Sequence, residues 1–271
     1  MLALSLDLLL GTVGLMQLGH AGFYGFGAYF GAILSTKVFM ESDLGFWLGL
    51  PIVLIATMFI GFLVGAPSLR LKGIYFALLT LGFGEIMRSI LLNFTELTNG
   101  PFGIKAIPSP EFFGVSLSNQ RLSYYLILSF VILFNVVINA LRKSKYGRYW
   151  RAIREDEIVA STTGINTFNY KIIALMISAG MAGVTGSIFA HYVSYINPSN
   201  FIMDESILIL TMVMVGGRDK LLGAIVGAAS LIILPEVLRF MSSYRLLIYG
   251  IGLIGLIIFK PEGLMGDKNG K

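Results

Sequence analysis

The sequence predicts an all-α protein, a polytopic bundle of transmembrane helices. Two observations carry this prediction. Hydrophobic residues make up 56% of the chain and charged residues 13%, with a mean hydropathy of +0.80, which is more apolar surface than a soluble domain of 271 residues can bury. The apolar residues also fall in blocks of about 20, the length of a helix that crosses a bilayer. We therefore expect one transmembrane domain, residues 1–271.

The pattern predicts about eight or nine membrane segments. Glycines interrupt the start at Gly11, Gly14, Gly19 and Gly22, and a polar turn interrupts the later segments at 216–220. Broken helices are tolerated in a membrane only where protein or a cavity covers the backbone, so they are expected inside the bundle. The chain begins like a helix already under way, not like a signal peptide, and an upstream start is expected. The predicted segments are 1–16, 21–36, 44–66, 73–94, 122–141, 172–193, 204–216, 221–240 and 245–259.

The distribution of Lys and Arg predicts the orientation. The connector 142–171 is rich in basic residues, whereas the connector 95–121 contains only Lys105 and Arg121. Because basic residues stay on the cytoplasmic side, 142–171 is expected to be cytoplasmic and 95–121 external. Gly and Pro residues in 95–121 predict a structured loop rather than a helix. The same count of crossings places on the inner side Arg70, Lys72, the turn 216–220, Lys260, Lys268 and Lys271.

Small residues recur at helical spacing in several segments. Such residues let helices approach closely in lipid, so they predict either a compact bundle or a contact with another subunit. Three GxxxG pairs are Gly27 and Gly31, Gly61 and Gly65, and Gly223 and Gly227. Two stripes within 179–190 are Ala179, Gly183 and Ser187, and Ala182, Gly186 and Ala190.

The connector contains the most charged stretch of the chain, residues 147–171. Its first part is expected to form a short amphipathic helix that ends at Gly164. Trp150, Ile153, Ile158 and Ser161 would lie near one side of that helix. One interpretation is a helix that lies at the membrane interface and anchors the topology.

The same stretch resembles the coupling loop of ABC importer permeases, in detail the pattern G-R-x-x-x-A-I-R-E-D-E-x-x-A-x-x-x-G-I of branched-chain amino-acid ABC permeases. In that family the loop presents a short helix to a groove on a separate ATPase subunit. The resemblance implies an apolar knob formed by Ile153 and Trp150, with charges that fix the register. The implied coupling residues are Gly147, Arg148, Arg151, Ala152, Ile153, Arg154, Glu155, Asp156, Glu157, Ala160, Gly164 and Ile165.

The resemblance extends along nearly the whole chain and is closest to the LivM-type permease subunit. It covers residues 8–29, 69–88, 97–104, 212–228 and 259–266. The stretch 97–104 resembles the family's external T-G-G-x-N-G loop. The external-loop residues that the resemblance singles out are Thr98, Asn99, Gly100 and Gly103.

The sequence departs from the family pattern at several positions. Asp7 stands where Asn is common, and Gln17 stands where Ser is common. Phe102 replaces a polar residue of the external loop, and Asp219 and Lys220 replace Gly and Thr. The first three departures are expected near the pathway or its mouth, so they leave the exact substrate open.

Polar side chains inside the predicted segments are candidates for the translocation path, because such groups are costly in a membrane and often functional. Glu85 and Arg88 lie three residues apart on one helix, where they either neutralise each other or form a gate. His20 follows a helix break, where a hydrogen bond to freed backbone or a gate is expected. Glu236 and Arg239 repeat the spacing and are expected to be structural. The path candidates are Asp7, Gln17, His20, Thr80, Glu85 and Arg88.

Enzyme chemistry has no support in the sequence. The chain has no cysteine and no GxxxxGK[ST] loop, and no catalytic motif of a hydrolase or metalloprotease occurs. No cofactor or catalytic residue is therefore expected, and ATP would be bound by partner subunits. His20 and His191 are too far apart in sequence to indicate a metal site. The charged residues that give the net charge of +5 lie between apolar blocks. This distribution is typical of a membrane protein's topology and not of nucleic-acid binding.

The resemblance implies the permease subunit of an ATP-driven importer for branched-chain, hydrophobic amino acids in the cell (inner) membrane. The implied partners are a second homologous permease in a heterodimer, two cytoplasmic ABC ATPase subunits, a periplasmic or extracellular substrate-binding protein and the lipid bilayer. Three alternatives stay open. They are the permease of a urea or short-chain amide importer, a channel or ion-coupled transporter that needs no ATPase, and a non-transporting membrane scaffold.

Overall fold

The computed structural model describes residues 1–39, 45–71, 73–112, 115–116, 119–237, 250, 260 and 263–265. The α-helices are α1 (Leu2–Asp7), α2 (His20–Ile33), α3 (Gly45–Ser68), α4 (Ile74–Asn93), α5 (Thr95–Thr98), α6 (Gln120–Lys143), α7 (Lys145–Glu155), α8 (Glu157–Thr162), α9 (Thr167–Val193), α10 (Met203–Gly216) and α11 (Leu221–Val237). Shorter pieces are the π-helical turns Leu8–Val13 and Leu34–Val38, the 3₁₀ turns Gly100–Phe102 and Pro198–Asn200, and the strands β1 (Ile104–Lys105), β2 (Glu111–Phe112), β3 (Val115–Ser116) and β4 (Tyr195–Ile196).

The predicted class, a polytopic helical membrane protein, is confirmed. Among the described residues, 5 helices are long and apolar enough to cross a membrane: Gly45–Ser68, Ile74–Asn93, Gln120–Lys143, Thr167–Val193 and Pro198–Gly216. Two shorter apolar helices, Leu2–Val13 and Leu222–Glu236, accompany them. The predictions that lie outside the described residues concern 238–240, Lys72, Arg239, Lys268, Lys271 and the segment 245–259 apart from Gly250.

Helix α9 lies at the centre of the bundle. Of its most apolar stretch, 72% of the residues are buried, compared with 11% for α6. Helices α2 and α3 pack along two sides of α9. The small residues of α9 that face α2 and α3 therefore serve contacts between helices of the same chain.

The glycine pattern explains how closely these helices approach. A Cβ on Gly27 would meet the backbone of Gly183, and a Cβ on Gly61 would lie 2.9 Å from the Cβ of Ala179. Between α10 and α11, Gly216 packs against the backbone of Gly223 and Gly227. The small-residue stripes therefore build the bundle itself, which resolves the alternative that the sequence left open.

The first broken segment lies inside the bundle, as expected, whereas the turn of the second reaches the surface, where Arg218 is exposed. The first helix, formed by α1 and the π turn, ends at Gly14, whose φ of 83° is left-handed and favours glycine. All residues from Ala3 to Val13 are buried, and six residues without helical structure then lead to α2. The second break is the turn 217–220 between α10 and α11, where Gly217 adopts a φ of 104°.

We call the end of the bundle near α7 and α8 the connector end, and the opposite end the loop end. At the loop end β1 pairs antiparallel with β4, Ile104 opposite Ile196 and Lys105 opposite Tyr195. The prediction that 95–121 contains no helix is wrong in detail. Residues 95–98 form one helical turn, and α6 already begins at Gln120 because the side chain of Asn119 caps it, accepting a hydrogen bond from the Arg121 N–H.

At the connector end the single predicted helix is two helices. Asp156 adopts an extended conformation (φ −155°, ψ 110°), which ends α7 and begins α8. Its carboxylate accepts the Ile158 and Val159 N–H groups at 2.8 and 3.1 Å, the geometry of an N-cap. Gly164, with φ 87°, follows α8 as expected for a helix stop.

Candidate coupling and translocation site

Helix α7 rests its apolar side on the bundle. Trp150 is 0% exposed and Ile153 is 4% exposed. The Trp150 indole N–H donates to the Tyr170 carbonyl at 2.8 Å, which fixes the ring against α9. The prediction that Ile153 and Trp150 form an outward knob is therefore wrong, because the apolar stripe of an amphipathic helix turns toward its own core.

The exposed apolar surface of the connector lies on α8 instead. Ile158 is 68% exposed and Val159 is 58% exposed, whereas Ala160 is buried at 3%. The backbone restarts its helical phase at Asp156, so Ile158 no longer shares a side with Trp150. An ion pair of 2.5 Å between Lys171 and Glu157 fastens α8 to α9. Helix α8 thus presents an aliphatic pair on an anchored turn.

The remaining coupling residues that the family resemblance implies differ in their exposure to solvent. Gly147 is buried because the start of α7 packs against the backbone of Arg142, at the end of α6. The exposed ones are Arg148, Glu155, Asp156 and Gly164. The partly buried ones are Arg151, Ala152, Arg154, Glu157 and Ile165.

Four charged residues form what we call the ion cluster: Asp7, Arg142, Arg154 and Asp219. Arg142 lies 2.6 Å from Asp7 and 3.4 Å from Asp219, measured between guanidinium nitrogen and carboxylate oxygen. A guanidinium nitrogen of Arg154 lies 3.3 Å from a carboxylate oxygen of Asp219. Asp7 and Arg142 are almost fully buried, with side chains 1% and 8% exposed. Two acids and two arginines thus balance each other at the connector end.

Backbone groups and one hydroxyl complete the ion cluster. Arg154 donates to the Gly11 carbonyl at 2.5 Å, and the Asp219 N–H donates to Asp7 at 3.2 Å. Thr12 accepts from Arg142 at 3.0 Å and donates to Asp219 at 3.2 Å. Sequence analysis places Asp7 near the path, but the structure pairs it with Arg142, which lies 135 residues away along the chain.

A second polar cluster lies where the first helix, α2 and α9 meet. His20 Nε2 lies 2.8 Å from Ser5 Oγ, and Ser178 donates to the Ser5 carbonyl at 2.7 Å. The Ser5 hydroxyl also donates to the Leu2 carbonyl at 2.8 Å. Gln17 lies 3.4 Å from the other ring nitrogen of His20. All these side chains are buried.

His20 does not bind the freed backbone at the helix break, so that prediction is wrong. Two hydroxyls take this role. Thr80 accepts the Leu18 N–H at 3.1 Å, and Ser206 accepts the Ala21 N–H at 2.9 Å. Side chains from α4 and α10 thus satisfy the Leu18 and Ala21 N–H groups at the break, whereas the ring of His20 lies against Ser5 and Gln17.

Glu85 and Arg88 form the predicted pair at 3.0 Å. Their side chains are 39% and 34% exposed, and the pair is local to α4. The structure therefore brings together Gln17, His20 and Thr80, but not Glu85 and Arg88. Sequence reasoning missed Ser5, Ser178, Ser206 and Arg142, whose small size or position at a helix end gives no signal in a single sequence.

The external-loop residues build one turn at the loop end. The Thr98 hydroxyl donates to the Leu91 carbonyl at 2.8 Å and accepts the Gly100 N–H at 3.1 Å. The Asn99 amide donates to the Gly103 carbonyl at 3.1 Å. Gly103 in turn packs against the Ile196 backbone, where β4 begins to lead the chain toward α10. The loop is thus tied to the second broken segment.

A cavity of about 310 Å³ lies beside the first helix, α6, α9 and α10. Most of its lining is aliphatic or aromatic. The polar side chains that line it are Tyr24, Thr185, Tyr192 and Glu205. It can hold a small molecule that has an apolar body and a cationic group.

The whole arrangement fits a transport permease, and comparison with known proteins decides the family. The family model "Branched-chain amino acid transport system / permease component" matches residues 1–258. The chain belongs to this family. No solved structure gave a significant match.

Curated relatives of this permease share most of its length. The high-affinity branched-chain amino acid transport system permease protein LivM of Escherichia coli K12 is 37% identical over 287 residues, which cover 97% of this chain and 67% of that protein. The permease protein LivH of the same organism is 25% identical over 292 residues, 98% of this chain and 90% of that protein. The autoinducer 2 import system permease protein LsrC of Salmonella paratyphi B is 27% identical over 227 residues, which cover 78% of this chain and 62% of that protein.

Proposed function

We propose that the chain works in the cell (inner) membrane as the permease subunit of an ATP-driven importer for branched-chain amino acids. The connector end would face the cytoplasm, since the connector 142–171 carries most of the basic residues. The loop end would face a substrate-binding protein outside. The names of the LivM and LivH relatives support both the substrate class and a pairing of two related permeases.

The observation that carries the coupling proposal is the exposed aliphatic pair on α8. Ile158 and Val159 are more than half exposed, although the surrounding connector is strongly polar. An apolar anchor with charged neighbours is the usual composition of a protein contact. The site would dock a cytoplasmic ABC ATPase subunit, and the exposed charges of the connector, such as Glu155 and Arg148, would set its register.

Substitution of the aliphatic pair tests this contact. The variant Ile158→Ser with Val159→Ser removes the apolar anchor and leaves the Asp156 cap in place, so the Kd for the ATPase subunit should rise by about tenfold or more. Binding of the purified ATPase to the permease in detergent measures it. Val193→Ser, which removes an exposed apolar side chain at the loop end, should leave the Kd unchanged. An unchanged Kd in the double variant would contradict docking on α8.

The cavity supports an amino acid as substrate. Its apolar lining suits an aliphatic side chain, and Glu205 offers a carboxylate to an ammonium group. A urea or short-chain amide importer is the second candidate, because it is the one among the three open alternatives that is also an ATP-driven importer. Urea carries neither an aliphatic side chain nor a charge, so leucine and urea should differ sharply in how they stimulate ATP hydrolysis by the assembled transporter.

A further inference from the structure

We propose that the ion cluster transmits movement of the connector to the broken helices of the permease, so that Asp7, Arg142, Arg154 and Asp219 are positioning residues for transport. This inference rests on the proposed function, because it assumes that an ATPase moves α7 and α8. It adds the route by which that movement would enter the membrane domain.

The ion cluster joins the elements that would have to move together. Arg154 belongs to α7, and its guanidinium contacts both the Gly11 carbonyl of the first helix and the Asp219 carboxylate of the turn after α10. Arg142, at the end of α6, holds Asp7 and Asp219 at the same time. A displacement of α7 therefore acts directly on both breaks in the bundle.

Arg154 packs closely against the end of the first helix. A Cβ on Gly14, where the first helix ends, would lie 2.8 Å from the Arg154 Cγ. Helix α7 also packs directly on the π turn Leu8–Val13. The Arg154 guanidinium also donates to the Gly11 carbonyl, so α7 and the first helix should move as one unit rather than slide past each other.

The first helix carries the movement toward the centre of the bundle. Asp7 lies two residues from Ser5, whose hydroxyl lies 2.8 Å from His20 Nε2 and whose carbonyl accepts from Ser178. The first helix thus carries both a member of the ion cluster, Asp7, and a member of the buried polar cluster, Ser5. Nearness alone does not demonstrate coupling, so the test must follow both ends of the route.

The absence of cysteine from the chain allows spin labels to be attached at single introduced positions. Thr163→Cys places a label after α8, and Met16→Cys places one in the break after the first helix, where Met16 is 41% exposed. The labelled permease is assembled with its partner permease and ATPases. Spectra are then compared with and without bound ATP, which requires no knowledge of the substrate.

We expect both labels to respond to ATP in the otherwise unchanged permease. In Asp7→Asn the Thr163 label should still respond, whereas the response at Met16 should fall by about fivefold or more, because Arg142 has lost its nearest carboxylate. Arg142→Gln added to Asp7→Asn should restore much of the Met16 response, since a neutral pair can hydrogen bond again. Asp204→Asn, the same change at an exposed position on α10, should alter neither label.

A Met16 response that survives in Asp7→Asn would overturn the inference and leave the ion cluster a stabilising element only. Silence of both labels in the unchanged permease would instead remove the proposed function, and the inference with it. If Asp7→Asn does not assemble, Arg154→Gln replaces it, because this variant breaks the link to α7 and keeps the pair of Asp7 with Arg142. The same selective loss at Met16 is then expected, and its absence would overturn the inference.

Discussion

At the scale of single residues, two departures from the family pattern explain each other. Asp7 stands where Asn is common and Asp219 where Gly is common, and both carboxylates lie on the guanidinium of Arg142. A buried acid without a partner would be costly, so Asp7 depends on Arg142, whereas Asp219 also pairs with Arg154. The sequence shows the three residues but not their contact, since Asp7 and Asp219 are 212 positions apart.

The glycine contacts yield a prediction at the same scale. Gly27→Ala should destabilise the permease by about 1–3 kcal/mol, because the new methyl group would overlap the backbone of Gly183 on α9. Thermal unfolding in detergent measures the change. Gly82→Ala is the matched control, since a Cβ there meets nothing within 4 Å and alanine favours the helix. Equal effects of the two substitutions would contradict close packing of α2 on α9.

At the scale of elements, the ends of some apolar helices follow from the sequence, whereas the start of α9, at Thr167 instead of 172, and the structure of the connector do not. The predicted 204–216 and 73–94 differ by only one residue at any end from α10 and α4, because a change from apolar to polar or glycine-rich sequence marks each end. In the connector, polar residues continue through Asp156 without such a change. The sequence pattern therefore does not reveal the N-cap at Asp156. The prediction that Trp150 and Ile158 lie on the same side of one helix is wrong for this reason.

The cap at Asp156 gives the prediction for this element. Asp156→Ala removes the acceptor of the Ile158 and Val159 N–H groups, which should cost α8 about 1 kcal/mol. Amide hydrogen exchange at these two residues should accelerate by about fivefold. Asp156→Asn retains a capping oxygen and should exchange nearly as slowly as the unchanged chain. Fast exchange in Asp156→Asn would show that the negative charge, rather than the cap, holds α8.

At the scale of the whole molecule, the sequence predicts the class, the broken helices and the packing residues, and the structure shows how they meet. The polar groups Gln17, His20 and Thr80 were recognised because polar side chains are rare in apolar segments. Their partners Ser5, Ser178 and Ser206 were missed because serine is common on close-packed membrane helices. Which side chains of distant segments meet depends on the fold. The periodicity of residues along one segment carries no information about such contacts.

The molecule as a whole offers a connector end with an exposed aliphatic pair, an ion cluster behind it and broken helices at the centre. This arrangement is suited to convert movement outside the membrane into a change at the buried polar cluster. In the function that we propose, the ATP that drives import is bound by the partner subunits of the assembled transporter.

Uptake of labelled leucine by vesicles that contain the assembled transporter tests the central claim most directly. The vesicles hold the permease with its partner permease, ATPases on the side of the connector end and the binding protein on the side of the loop end. We predict that leucine accumulates against its gradient only when ATP is present on the ATPase side, and that urea does not compete. Leucine uptake that needs no ATP, or uptake of urea but not of leucine, would contradict the account.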